Sequence, residues 1–166
     1  MIAPRLPKIV EADARAAHVA RALAADTTPL WAQSAVRVAR VPSTPALAAA
    51  LQQAARDEHL VRGLEGAMRA LDAEARGQRL ADEKIGAARG ARISRLLLLA
   101  DDGAERFYRD VEALLRRHGD RAVALRVSLD ADALGALLFG ADAPTRAALV
   151  VHKDAVAAVL FALVAP

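Results

Sequence analysis

The sequence predicts an α/β fold: a three-layer α-β-α sandwich with a small, mostly parallel sheet, preceded by a helical N-terminal extension. Three observations predict it. Residues 93–100 read as a strand whose apolar run, 96–100, opens with four consecutive leucines, as in a strand buried on both faces. From there strand-like and helix-like stretches alternate to the C-terminus, the order that builds parallel strands joined by crossovers. After each of these strands stands an acid suited to cap the next helix: Asp102, Asp130 and Asp154.

Each element has a local reason. Residues 11–25 carry apolar side chains at helical spacing and stop before Thr27-Thr28-Pro29. Residues 36–41, Val-Arg-Val-Ala-Arg-Val, alternate like a strand, while their Ala/Arg content also permits a helix. Thr44 followed by Pro45 reads as an N-cap with proline at the first helical position, opening a helix to about residue 58. Residues 59–75 place Leu60, Leu64, Met68 and Leu71 on one helical stripe. Gly77 breaks that helix, and a short helix over about residues 80–88 ends at Gly90. After the strand at 93–100, Asp102 caps a helix, with Glu105 completing a capping-box pattern. That helix carries Phe107, Val111, Leu114 and Leu115 and stops at Gly119. Residues 122–129 are a second strand, and Asp130 caps a helix with Leu134, Leu137 and Leu138 that ends at Gly140. Residues 146–151 are a third strand, and Asp154 caps the last helix, 155–164. The domain organisation expected is a helical extension over residues 1–59 and an α/β domain over residues 60–166.

Composition bounds the core. Of the 166 residues 55% are apolar, but 43 are alanine, whose methyl group buries little area. Leu, Ile, Val and Phe supply 44 residues, enough for a modest core wrapped in Ala-rich helices. The absence of cysteine excludes disulfides, thiolate metal sites and cysteine nucleophiles. No apolar run approaches the roughly 18 residues of a membrane span. The N-terminus lacks the apolar stretch of a secretory signal, so the expected location is cytoplasmic. No Walker loop, Gly-x-Gly-x-x-Gly turn or Gly-x-Ser-x-Gly elbow occurs. His18, His59, His118 and His152 have no metal-ligand spacing. No cofactor is implied.

Two constellations bear on function. The first is the set of strand-end acids Asp101, Asp102, Asp130, Asp132 and Asp154 with His152. Clustered carboxylates there suit magnesium and a metal-dependent phosphoryl enzyme using Asp101, Asp130 and Asp132. The favoured reading is helix capping, because an acid between a strand and a helix is the preferred cap. The second constellation is basic. Lys+Arg is 23 against 20 Asp+Glu, a net charge of +3, and 20 of the basic residues are arginine. Arg76, Arg79, Lys84, Arg89, Arg92 and Arg95 fall within twenty residues. A helix N-terminus with neighbouring cations is a natural phosphate contact. A solvated amphipathic helix explains the same pattern, and the chain's few aromatics offer no base-stacking platform.

The segment order over about residues 60–163 resembles the kink-turn RNA-binding ribosomal-protein family and the related C-terminal domain of eukaryotic-type release factors. The matching parts are Gly77 opening the second helix and Arg89-Gly90 ending it. They continue with the strand Leu96-Leu97-Leu98-Leu99-Ala100-Asp101-Asp102, the Leu134-Gly135 helix and the strand Ala148-Leu149-Val150-Val151. The family's helix begins Gly-x-Asn-Glu-x-x-Lys. Here Ala81 stands at the asparagine, Asp82 at the glutamate, and Lys84 is displaced by one. The resemblance implies a non-enzymatic protein that binds structured RNA or a ribonucleoprotein. Its contacts would be Gly77, Gln78, Arg79, Lys84, Arg89 and Arg92, with Asp82 and Glu83 toward base edges and the loop 139–144 flanking the groove. Relatives of the family also serve as protein-binding domains. The alternative is therefore an interaction module in which residues 1–59 pack on a partner or a second copy.

Overall fold

The computed structural model describes residues 4–86 and 90–166. Its centre is the leucine run. Strand β4 (Arg95–Leu99) places Leu96 and Leu98 on one face of the sheet and Leu97 and Leu99 on the other, all fully buried. Period-two alternation sends these four side chains into two separate cores. At about 1.5–3 kcal/mol per fully buried leucine, this one strand anchors both layers.

The described elements run in the order α1 (Lys8–Glu11), α2 (Ala16–Ala25), β1 (Thr27–Pro29), β2 (Arg37–Val41), α3 (Pro45–Arg56), β3 (Leu60–Arg62) and α4 (Leu64–Ile85). After β4 come α5 (Glu105–His118), β5 (Ala122–Val127), α6 (Ala131–Phe139), β6 (Ala147–Val150) and α7 (Lys153–Ala162). The strands form one sheet in the order β1-β2-β5-β4-β6-β3. One core joins Leu96, Leu98, Leu125 and Val150 to residues of α1, α2, α3, α6 and α7. The other joins Leu97, Leu99 and Leu149 to α4 and α5. The chain is thus the expected α/β sandwich of three layers. Among the described residues, no helix is long and apolar enough to cross a membrane.

The sheet is parallel at its centre, where β2 pairs with β5 and β5 with β4. β6 instead runs antiparallel to β4, with Ala147 opposite Leu99. The cause lies in α6. Beyond Gly140 the chain turns back along the helix, and Thr145 N–H donates to Ala131 O at 2.9 Å, beside the helix start. The chain therefore re-enters the sheet at the end from which β5 left it.

The first 59 residues are not a purely helical extension. β1 and β2 belong to the same sheet as the rest, and β2 is hydrogen-bonded to β5. Val38, Ala39 and Val41 are buried, so tertiary pairing decides for strand where local composition was ambiguous. Residues 60–62, expected to be helical, pair with β6 as an edge strand. Gly63, at φ +84°, separates that strand from α4, a backbone state that glycine adopts readily.

Gly77 neither breaks nor opens a helix: α4 passes through it and ends at Gly86, at φ +74°. An interior glycine costs about 1 kcal/mol relative to alanine, which a 22-residue helix anchored by Ala67 and Leu71 absorbs. Nothing lies within 4 Å of where a Cβ on Gly77 would stand. Gly77→Ala is therefore expected to raise stability by about 0.4–1 kcal/mol in urea unfolding. A loss would show that α4 is interrupted there.

Capping follows the sequence at two sites and departs at two. Thr44 Oγ1 accepts from Leu47 N–H at 3.1 Å, and Asp130 Oδ1 from Ala133 N–H at 2.8 Å. Asp102 does not cap α5, whose N-cap is Ala104. It reaches across to accept from Ala131 N–H at 3.0 Å, at the start of α6. Asp154 does not cap α7. His152 does, its Nδ1 accepting from Asp154 N–H at 3.1 Å, with the His152 ring stacked 4.1 Å from that of His59.

Candidate functional site

Three of the strand-end acids are individually engaged. Asp101 takes a 2.7 Å hydrogen bond from Arg126 Nε, while Asp102 and Asp130 serve the N-terminus of α6. Asp132 lies exposed in the first turn of that helix. Among the described residues no three His, Cys, Asp or Glu side chains are grouped as a metal ion would need. Beside them, a shallow groove of about 520 Å³ runs past Trp31, Gly103, Tyr108 and Arg126. Two of its polar groups, the Tyr108 hydroxyl and the Trp31 indole N–H, are already committed. The Tyr108 hydroxyl donates to Ala100 O at 2.7 Å and accepts from Gly103 N–H, and burial pushes its pKa up. Trp31 Nε1–H donates to Glu112, which holds that carboxyl below its usual range.

The larger cleft, about 740 Å³, opens at the opposite end of the sheet, where β4 and β5 begin. One wall is α4. Asp72, Ala75, Arg76, Arg79 and Asp82 face it at helical spacing, with Gln78 beside them. The other wall is Arg117 and His118 at the end of α5, with Asp120 and Arg121 in the following turn. Lys8 and the segment 90–94 close the third side.

Charge is concentrated here. Six of the chain's 23 basic residues (Lys8, Arg76, Arg79, Arg92, Arg117, Arg121) and three of its 20 acids (Asp72, Asp82, Asp120) line the cleft. Among the described residues the cleft's lining therefore carries more basic than acidic side chains.

Two partly buried carboxylate knots hold the walls together. Glu74 accepts from Arg95 Nε at 3.1 Å and from Arg121 Nη2 at 2.7 Å, tying α4 to β4 and to the turn before β5. Asp72 accepts from Arg117 Nε at 3.1 Å and contacts His118 Nε2 at 2.7 Å. His118, at the end of α5, is almost wholly buried against this carboxylate. The backbone of Arg121 is fixed as well: its N–H donates to His118 O, and its carbonyl accepts from Ser94 and Arg95. Arg121 is 8% exposed, and its Nε is buried with no hydrogen-bond partner. Such an orphan donor costs about 1–3 kcal/mol or more when charged.

The residues expected from the sequence divide accordingly. Gln78, Arg79, Asp82 and Arg92 line the cleft. Gly77, Glu83 and Lys84 are exposed on α4 outside it. Arg89 lies outside the described residues. Arg92 donates from Nη1 to Leu6 O at 2.6 Å and to Glu11 Oε2 at 2.9 Å. Hydrogen bonds from Arg5 first, and from Arg92 second, lower the Glu11 carboxyl's pKa. No helix N-terminus forms at Gly77, because α4 is continuous, so no free backbone amides face a phosphate there. The loop 139–144 does not flank the cleft: it leads into β6 beside Leu99, while the cleft lies at the Arg95 end of β4. The sequence reading missed Lys8, Asp72, Arg117, Asp120 and Arg121. The run Arg116-Arg117-His118 was the one local signal for part of this wall.

No protein-family model matches the chain, and no curated protein matches it. Among solved structures it is similar to a protein of unknown function from Bacillus halodurans, at 18% identity and a TM-score of 0.46. That match covers 71% of this chain and 95% of the other.

Proposed function

We propose that this protein binds structured RNA, or the surface of a ribonucleoprotein, through the cationic cleft and without a catalytic step of its own. The observation that carries this reading is the gathering of six basic side chains against three acids, among the described residues, around one cleft. Arginine is suited to phosphate because its planar fork matches two oxygens at once. Among the described residues Arg76 and Arg79 have no acidic partner, so their guanidinium groups stand ready for phosphate. The resemblance to the kink-turn ribosomal-protein family supports the same class of ligand, with contacts shifted from a helix N-terminus to the side of α4.

The test is anisotropy of a labelled hairpin RNA titrated at 50–300 mM KCl. Each phosphate contact releases counterions and adds about 0.7–0.9 to the slope of log K against log salt. The double variant Arg76→Ala, Arg79→Ala is expected to flatten that slope by about 1.4–1.8. Absent binding, or binding indifferent to salt, sinks the reading.

A second reading is favoured by one observation. Ile9 on α1 and Leu80 and Ile85 on α4 are more than half exposed, large apolar side chains on two of the helices that border the cleft. Such side chains suit a protein partner or a second copy of this chain. Light scattering behind size exclusion separates the cases: a dimer that Leu80→Ser, Ile85→Ser dissociates supports the partner surface, and a strict monomer argues against self-association.

A further inference from the structure

The cleft's floor differs from its rim. Arg76 and Arg79 are exposed on α4, whereas Arg121 is nine-tenths buried and immobilised through its backbone and Glu74. Among the three guanidinium nitrogens of Arg121 only Nη2 is engaged, at 2.7 Å from Glu74 Oε2. Its Nε is buried and unpartnered, in a residue that lines the cleft. A side chain held this way is a preorganised donor, in contrast to the rim cations that snorkel into water.

Geometry limits what reaches it. An internal phosphodiester of a duplex lies on a convex backbone and meets the rim. A buried donor in a concave site of about 740 Å³ suits a group of nucleotide size entering end-on. A phosphate monoester carries close to two negative charges at neutral pH and three acceptor oxygens, against one charge on a diester. Arg121 at the floor, held on one side by Glu74, and Arg117, paired with Asp72, are joined across the cleft by Arg79, which has no acidic partner among the described residues, in offering positive charge to a dianion.

Building on the RNA reading above, we infer that the floor of the cleft is a subsite for a terminal phosphate monoester, the phosphorylated end of an RNA strand. Arg121 would take one oxygen through Nη1, the guanidinium nitrogen that is neither hydrogen-bonded nor enclosed, and Arg117 and Arg79 would neutralise the remainder from either side. The acids in the same cleft, Asp72 paired with Arg117 and Asp120 next to Arg121 in the chain, set the entry requirement: a ligand must carry enough charge to compete with them.

The experiment compares one short single-stranded RNA with a 5′ phosphate, with a 3′ phosphate, and with hydroxyls at both ends, beside adenosine 5′-monophosphate as the free nucleotide. A tenfold or greater preference for one phosphorylated end is expected, and Arg121→Gln is expected to abolish it. Because Arg121 is knotted to Glu74, that variant risks its fold. Arg79→Ala, on the exposed face of α4, is the second variant, and at least a threefold fall in the preference is expected. Equal binding of all three strands by the unmodified protein overturns the monoester subsite while leaving RNA binding in place. Binding of adenosine 5′-monophosphate with no strand bound supports the monoester site and overturns RNA as its source. Binding of neither overturns both.

Discussion

Gly135→Ala is expected to destabilise the protein by about 3 kcal/mol or more, the upper end of overpacking costs. A Cβ on Gly135 would overlap the carbonyl oxygen of Ala143 and stand 2.9 Å from Pro144 Cα. Both obstacles are backbone, so no rotamer change relieves them. The segment 140–145 lies directly over α6 because Gly135 leaves room for it, and this close approach returns the chain to the sheet beside Leu99. Pushing the segment away strains the entry into β6, which pairs with both β4 and β3. At roughly 2–4 °C per kcal/mol for a chain of this size, the melting midpoint falls by about 6–12 °C. Thermal unfolding followed by circular dichroism measures it, with Gly77→Ala as the opposite-signed control. A midpoint within a degree or two of the parent protein would mean that the return segment does not pack on α6.

The second large effect belongs to Glu74. Its carboxylate is shared by Arg95 and Arg121, and the three side chains are 27%, 20% and 10% exposed. Glu74→Ala leaves two mostly buried guanidinium groups facing each other without their counter-charge. Removing one partner of a fully buried pair costs about 3–5 kcal/mol, and partial exposure lowers this to about 2–4 kcal/mol here. Glu74→Gln keeps an acceptor and is expected to lose less. Adding Arg121→Met to Glu74→Ala is expected to recover part of the loss, because the stranded charge is removed along with its partner. Urea unfolding of the variants measures the set. A loss below about 0.5 kcal/mol for Glu74→Ala would show that solvent screens the cluster as it screens a surface pair.

Much of the sandwich was legible because its signals are local. Leu96–Leu99 announces a strand buried on both faces in four residues, and Thr44-Pro45 and Asp130 announce helix starts by side-chain chemistry that acts within three residues. The illegible parts turn on distant partners. Residues 37–41 are a strand because β5 lies beside them, and residues 60–62 because β6 does. Asp102 looked like the cap of the following helix and serves α6, 29 residues away. Gly77 looked like a break, but a helix anchored by buried Ala67 and Leu71 runs through it. At the candidate site Gln78, Arg79, Asp82 and Arg92 were readable as one basic segment. The facing wall of Arg117, His118 and Arg121 was not, since more than twenty residues separate it from that segment and no short motif links them.

By itself, then, the sequence determined the layer-building elements and the size of the charge excess. Side-chain period and capping chemistry act over a few residues, and net charge needs no structure at all. Only the tertiary structure decided the direction of β6, the place of β1 and β2 in the sheet, and the meeting of basic residues from α1, α4, α5 and the turn before β5 in one cleft with a buried arginine at its floor. Those depend on which surfaces meet. A single missing side chain at Gly135 and a carboxylate at Glu74 shared by two arginines govern such meetings, and neither announces its partner in the chain around it.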